Sequence, residues 1–450
     1  MKRKVICLVI ATLLFSCKKE LKSDNSAQKK DESYTTKIDR FLETLEKEQT
    51  FMGSVAISDK DKLVYSKAIG FSNAAKDNKV NIDTKYRIGS ISKTFTAVLV
   101  FKAIEENKIQ LNQTIDKFFP KLKNGNTTTI AHLLHHQSGI ESYTKDKYFW
   151  EHRTKEQSSE ALINAISNLE RTFKPGEHTA YSNSNYFLLT EILEVVFKDS
   201  YENILQKYII SPLELNHTSQ GKKIQPEKNE SLSFVFKEDK WEVFPETHIS
   251  LAKGSGSIIS TPKDLNNFYR SLFKERLISS ENLEKMTTIV RNHGMGIFNY
   301  KLNDQSGFGH GGNIDGFTAT AIYFKELDLA VSITSNASKQ SVDKVYAKVL
   351  ELYLGQSKVK ISQKELETYI GTYAAKENPS EKAVFEREGN TLIHVIMGEY
   401  REPLIYKGDR RFLFNQMYGG SISFTFSEDG KELLFEQGDF KGNYIKESLE

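Results

Sequence analysis

Tyr86-Arg87-Ile88-Gly89-Ser90-Ile91-Ser92-Lys93-Thr94-Phe95-Thr96 is the stretch on which the reading of this chain turns. Residues from Asp83 to Ile88 lead into Gly89. An apolar run with helical spacing then follows at Phe95, Val98, Leu99, Lys102 and Ala103. That places Ser90 where a helix begins. Ser90 and Lys93 share one helix face, with Cβ atoms roughly 5–6 Å apart. The positive end of the helix dipole and burial both disfavour an ammonium there. A neutral Lys93 accepts the Ser90 proton, and the Ser90 N–H is left to point at an oxyanion. The plain alternative is a serine helix cap followed by a solvated lysine.

Two further pieces follow in order. Tyr181-Ser182-Asn183 comes after the Pro175-Gly176 turn signal and just before a run with helical spacing, Phe187, Leu188, Ile192, Leu193 and Val196. A loop ending at a helix start can present Tyr181 and Asn183 to a cleft. The alternatives are a capped turn and a core aromatic. Gly307-Phe308-Gly309-His310-Gly311-Gly312 precedes two alternating segments, Phe317 to Phe324 and Leu327 to Ser335, with Lys325-Glu326 as their turn. They read as an antiparallel hairpin. Glycines on an edge strand let a substrate backbone come close, and the N–H of Asn313 is the natural second oxyanion donor. None of the short motifs is unique. Ser-x-x-Lys recurs at Ser142–Lys145 and Ser260–Lys263, and Tyr-x-Asn at Tyr201–Asn203. The information lies in the ordered set: a serine with a lysine partner, a phenol that relays protons, and a strand edge that holds the acyl group.

This set resembles the serine β-lactamase/penicillin-binding-protein superfamily, in its class C-like branch, over about residues 36 to 355. Supporting phrases are Ile130-Ala131-His132-Leu133-Leu134 with Ser138-Gly139-Ile140, Pro212-Leu213-Glu214-Leu215, Ser260-Thr261-Pro262-Lys263-Asp264-Leu265 and His310-Gly311-Gly312-Asn313-Ile314-Asp315-Gly316-Phe317. The resemblance implies that Ser90 is the nucleophile and Lys93 its proton partner. It implies that Tyr181 protonates the leaving group and then activates water, and that Asn183 binds the acyl side chain. His310, Gly311, Gly312 and Asn313 form the substrate and oxyanion edge. His310 stands where true β-lactamases usually carry the lysine of Lys-Thr-Gly. A neutral histidine offers a switchable hydrogen bond instead of a fixed charge. The expected activity is therefore that of a serine hydrolase on D-amino-acid-containing peptides, amides or small esters. The rivals are a class C β-lactamase and a non-catalytic penicillin-binding-like envelope protein. No glutamate is placed like the deacylation base of class A enzymes, and none is needed in class C.

The N-terminus reads as a targeting segment. Lys2-Arg3-Lys4 precede the apolar run Val5 to Phe15, which is too short for a typical membrane span. Leu14-Phe15-Ser16-Cys17 resembles a bacterial lipobox. Residues 1–16 are thus expected to be a lipoprotein signal peptide, with Cys17 lipidated and the protein held at the cell envelope by that anchor. Residues 17–36, polar and charged, read as a flexible tether. Order is expected from Ile38, Phe41, Leu42 and Leu45. The 450 residues contain two cysteines, Cys7 and Cys17, so no disulfide or cysteine metal site is available. The formal charge of +3 equals the contribution of Lys2, Arg3 and Lys4, and no basic stripe interleaves with aromatics. Nucleic acid is excluded as a partner. A small molecule or peptide substrate remains. No cofactor is called for, and a metal at His135-His136 is rejected because no further ligand lies at ligand spacing.

Strands at Phe51–Ser58 and Leu63–Ile69, helical patterns over 94–215 and strands after 295 give an α+β class. The resemblance makes this a β-lactamase/transpeptidase-like antiparallel sheet flanked by helices, with an inserted helical domain and the site in the cleft between, over 37–355. Residues 356–450 carry short strands separated by turns: Ala383–Arg387, Thr391–Met397, Glu402–Ile405, Phe412–Asn415, Ser421–Ser427 and Glu432–Glu436. They read as a small antiparallel barrel, resembling the lipocalin-like module fused to some class C-like hydrolases. It serves either as a stability appendage or as a lid over the cleft.

Overall fold

The alternating segments near residue 51 pair as Phe51–Asp59 with Lys62–Ile69, and this hairpin forms one end of a six-stranded antiparallel sheet. The computed structural model describes residues 32–450 apart from 74–77, 303–304, 356–360, 416–420, 438–439 and 448–450. Cys17, the signal segment and most of the tether lie outside the described residues, as do the first five residues of the expected C-terminal module. From one edge, the sheet runs Phe298–Leu302, Gln305–Ile314, Phe317–Phe324, Leu329–Ser338, Phe51–Asp59, Lys62–Ile69.

The sheet has two buried faces, and strand alternation assigns them. Along Phe317–Phe324, Ala319, Ala321 and Tyr323 join one core, which contains the helices Ser92–Glu105, Asn183–Phe197 and Pro262–Phe273. Ile322 and Phe324 join the other, against the helices Tyr34–Lys47 and Val342–Leu354. The first helix buries Ile38, Leu42 and Leu45, the stripe visible in the sequence, but it starts at Tyr34, inside the stretch read as tether. The helices of the first core are inserted between the second and third long strands, which gives the expected α+β architecture. The hairpin turn is two residues longer than expected. Asp328, in the left-handed region at φ 48°, closes it, and the strand resumes at Leu329.

The helix Ser92–Glu105 is buried on every side rather than on one stripe. Its polar residues are therefore satisfied internally. Thr94 donates to the Gly296 carbonyl at 2.7 Å, and Thr96 to the Gly254 carbonyl at 2.7 Å.

Residues 371–446 form a nine-stranded antiparallel sheet. The segment read as one strand, Glu402–Ile405, is two, Tyr400–Pro403 and Ile405–Gly408, broken at buried Leu404. These two strands are the opposite ends of the sheet, so the chain passes directly from one edge to the other and the sheet is nearly closed. Its interior is packed with rings, including Tyr369, Tyr373, Phe385, Phe412, Phe424 and Phe426.

Candidate active site

Gly89 has φ +51°, a conformation that favours glycine, and it turns the strand Tyr86–Arg87 into a single 3-10 turn, Gly89–Ile91, ahead of the buried helix. Ser90 sits in that turn. No side chain caps either helical segment, so the cap explanation of Ser90 does not hold. Instead, Lys93 Nζ lies 3.0 Å from Ser90 Oγ, one turn along the same face.

Lys93 is fully buried. Its Nζ also donates to Asn183 Oδ1 at 2.7 Å and to the Ser255 carbonyl at 2.7 Å. Burial alone holds its pKa well below the ordinary lysine range. A neutral amine has two hydrogens, and the two carbonyl-type acceptors engage both. Its lone pair is then left facing the Ser90 hydroxyl.

Tyr181 and Asn183 arrive from the start of the helix Asn183–Phe197, as expected. The Tyr181 ring centroid is 4.8 Å from Lys93 Nζ and 6.3 Å from the His310 ring. Asn183 is oriented from both sides: its Nδ2 donates to Thr144 Oγ1 at 3.1 Å, and its backbone N–H to Ser142 Oγ at 3.1 Å.

The glycine motif lies on a strand, Gln305–Ile314, in keeping with the strand edge read from the sequence. Its first half pairs with Phe298–Leu302 up to Gly309, whereas Gly311 to Asn313 run beyond the end of that partner. The glycines serve close approach. A Cβ on Gly312 would lie 1.9 Å from the Ile88 carbonyl oxygen and 3.1 Å from Ser90 N, and one on Gly89 would lie 2.6 Å from Asn313 N. The Ser90 turn and the Gly312–Asn313 backbone are thus in direct contact. His310 pairs across the strands with Ala321, which puts its side chain on the Ser90 face. It is buried, and its Nδ1–H donates to the Gly311 carbonyl at 2.5 Å. Desolvation, then the nearby Lys93, pushes its pKa down to about 3. His310 is neutral near pH 7, with Nε2 as a buried acceptor that has no hydrogen-bond partner among the described residues.

The other copies of the short motifs separate cleanly. Ser142 accepts from Asn183, while Lys145 pairs at the surface with Glu141 at 2.9 Å. Ser260 Oγ is 2.8 Å from Thr218 Oγ1. The Tyr201 hydroxyl is 2.8 Å from Thr96 Oγ1. Each is structural.

Sequence reasoning missed three contributors. The Ser255 carbonyl carries no side-chain signal. His136 is buried, accepts from the Ser182 N–H through Nδ1 at 3.1 Å and packs with its ring tilted 31° against the Tyr181 ring, centroids 4.4 Å apart, so it orients the phenol segment. Arg87 stood in the quoted stretch, but its partners are far away in sequence. A cavity of about 300 Å³ borders the end of the glycine strand: Gly312, Asn313, Asp315 and Gly316 line it together with Phe234, Phe236, Phe244, Thr318 and Asp343. Thr318 and Thr320 point to the opposite side of the sheet, where Thr320 Oγ1 donates to Asp343 at 2.9 Å.

A serine and a buried lysine at the head of an internal helix, facing a glycine-lined strand edge, define a serine hydrolase of the β-lactamase/transpeptidase-like type. The family model described as Beta-lactamase matches residues 38–355, and the chain belongs to that family. Penicillin-binding protein 4* of Bacillus subtilis (strain 168) is 23% identical over 438 residues, covering 89% of this chain and 96% of that one. Teichoic acid D-alanine hydrolase of Staphylococcus aureus is 27% identical over 250 residues, 56% of this chain and 60% of that protein. Among solved structures, a D-stereospecific amidohydrolase from Streptomyces sp. superposes with a TM-score of 0.62 at 26% identity, covering 72% of this chain and 99% of that one.

Proposed function

We propose that the protein is an envelope-anchored serine hydrolase that acts through an acyl-Ser90 intermediate on amides, peptides or esters of D-amino acids. The observation that carries this reading is the Lys93 environment: a fully buried amine, in contact with Ser90 Oγ, whose other acceptors are neutral. In the first step the Ser90 proton passes to Lys93 Nζ while Oγ bonds to the substrate carbonyl carbon. The carbonyl oxygen gains the electron pair and is held by the N–H groups of Ser90 and Asn313. Tyr181 then gives a proton to the leaving nitrogen or oxygen, and the bond to it breaks. Water, losing its proton to Tyr181, attacks the acyl carbon, and Ser90 recovers its proton from Lys93. Asn183 has one Nδ2 hydrogen left after Thr144 for the acyl side chain.

His310 supports the substrate class. Its neutral ring presents an acceptor, so the group beside it carries an N–H or O–H rather than a carboxylate. That suits an amide, an ammonium or a hydroxyl, and it disfavours the carboxylate of a β-lactam. The D-specific activities named for two of the relatives agree with this preference. Anchoring rests on Leu14-Phe15-Ser16-Cys17; no helix among the described residues is long and apolar enough to cross a membrane.

The test is turnover of a panel holding D-alanine p-nitroanilide, its L-enantiomer, p-nitrophenyl butyrate and nitrocefin, with fluorophosphonate labelling located by mass spectrometry. The expected result is preference for the D-substrate and an adduct on Ser90 that Ser90→Ala abolishes. An adduct at another serine refutes the reading.

A further inference from the structure

The Ser90 turn and the Asn313 backbone are in contact, but contact alone does not set their spacing. A buried charge network spans them. Arg87 lies three residues before Ser90, and Asp315 two residues after Asn313. Both side chains are 1% exposed, and Arg87 NH1 is 3.3 Å from Asp315 Oδ2. The same guanidinium donates to the Thr247 carbonyl at 2.7 Å, to the Lys222 carbonyl at 3.1 Å and to Glu246. Asp315 in turn accepts from Thr247 Oγ1 at 2.6 Å and from the Thr247 N–H, and Arg153 stands 3.8 Å away. Two cations and two carboxylates therefore balance. Asp315 also sits at φ 55° in the tight turn between Ile314 and Phe317, so its side chain and its backbone are both fixed.

We infer that Arg87 and Asp315 are positioning residues, whose ion pair holds the Asn313 amide in register with the Ser90 amide so that both reach one oxyanion. The inference rests on the oxyanion roles proposed above. Neither side chain touches the reacting atoms; both act through the backbone segments they join. The guanidinium is suited to this because its planar fork engages several acceptors in fixed directions, which a lysine ammonium does not reproduce. The stake is large for a small movement, since a displacement of about 1 Å at a reacting centre can cost on the order of a hundredfold in rate.

The variants are Asp315→Asn, Arg87→Met and the double variant Arg87→Met/Asp315→Asn. Asn keeps the left-handed turn and the Thr247 hydrogen bond while removing the charge. Arg87→Met leaves Asp315 with only the more distant Arg153 as a cation and takes from Glu246 its partner, so its melting temperature falls; the double variant relieves the Asp315 charge and recovers part of that loss. The expected result is that kcat for D-alanine p-nitroanilide falls by about tenfold or more in Asp315→Asn and in the double variant, with KM within about twofold, as when an interaction of the transition state alone is lost. The affinity of a phosphonate transition-state analogue should fall by the same factor as kcat/KM. Arg87→Lys should also lose kcat, which keeps the inference testable if the other variants do not fold. Recovery of kcat together with melting temperature in the double variant would overturn it and leave the network as structural only. So would a folded Asp315→Asn with wild-type kcat. Fluorophosphonate labelling of wild-type Ser90 is run alongside: its failure removes the underlying reading, whereas labelling with unaffected variants removes only the clamp.

Discussion

Replacing His310 by lysine tests what the neutral ring does. His310 lies 6.3 Å from Tyr181 and 4.8 Å from Phe298, centroid to centroid, on the Ser90 face of the glycine strand. A full positive charge about 5 Å from a substrate carboxylate, at an effective dielectric of about 20, is worth about 3 kcal/mol, or two orders of magnitude. The site does not deliver that in full. Lys93 shows what happens to an ammonium in this place: burial drives it toward the neutral amine. A second lysine beside it meets the same desolvation and its neighbour's field, so its charge is fractional. The expected gain is about tenfold, again on the Coulomb scale. The quantity to measure is kcat/KM for nitrocefin divided by kcat/KM for p-nitrophenyl butyrate, in wild type, His310→Lys and His310→Gln. The ratio should rise about tenfold in the lysine variant and hold in the neutral glutamine variant. An unchanged ratio in a folded His310→Lys protein would show that residue 310 does not face the substrate carboxylate, and the argument for substrate class from His310 would fall.

Three further outcomes are expected. The His310 pKa is depressed from 6.5 to about 3, so the unfolded chain binds the proton more tightly; stability is whole above pH 6.5 and is lost as pH falls toward 3. At pH 5 its share of the loss is about 2 kcal/mol; His136 and His394 are depressed as well and add their own acid loss, so in guanidinium melts the drop in stability from pH 7 to pH 5 should be about 2 kcal/mol smaller in His310→Gln than in wild type. Gly312→Ala puts a methyl group 1.9 Å from the Ile88 carbonyl and must part the two backbones; kcat should fall by about a hundredfold, as for a lost oxyanion donor, and a folded variant with wild-type kcat would contradict the close-approach argument. Cys17→Ser should move the protein from the membrane fraction to the soluble one and abolish labelling by a clickable fatty acid, while a wild-type protein already soluble would contradict the anchor.

What the sequence disclosed was what local geometry determines. Ser90 and Lys93 are one turn apart, so their meeting needs only a helix start. The Tyr34–Lys47 stripe and the first hairpin follow from spacing of 3.6 and 2 within one segment. What stayed hidden depends on distant partners. Lys93 and the Ser255 carbonyl are 162 residues apart, and Arg87 and Asp315 are 228 apart. The strand Phe440–Lys446 buries only Tyr444 within it, so it has no apolar alternation to read. The hairpin Phe234–Lys237 with Lys240–Val243 was passed over for a similar reason: only Phe234 among its strand residues is buried. The glycine strand was legible although glycine is depleted in ordinary strands, because its residues are set by how closely the neighbouring backbones approach.

Two largely buried lysines separate structure from chemistry in this fold. Lys253 lies between two carboxylates, 2.5 Å from Glu191 and 2.8 Å from Glu194. Burial opposes its charge, but the two partners outweigh it and its pKa rises. That lysine is a permanent cation tying a loop to the helix Asn183–Phe197. Lys93 is buried more deeply, yet among the described residues it has no carboxylate within ion-pair distance. Its neighbours are a hydroxyl, an amide and a carbonyl, which can accept hydrogens without stabilising a full charge enough to offset desolvation. The difference does not come from the residue type; burial opposes the charge of both lysines, and more strongly that of Lys93. It comes from deeper burial with no carboxylate, among the described residues, to offset it around an amine placed against Ser90. A fold that needed Lys93 only for packing would be served as well by leucine or methionine. The arrangement makes physical sense for a lysine that has to give and take a proton.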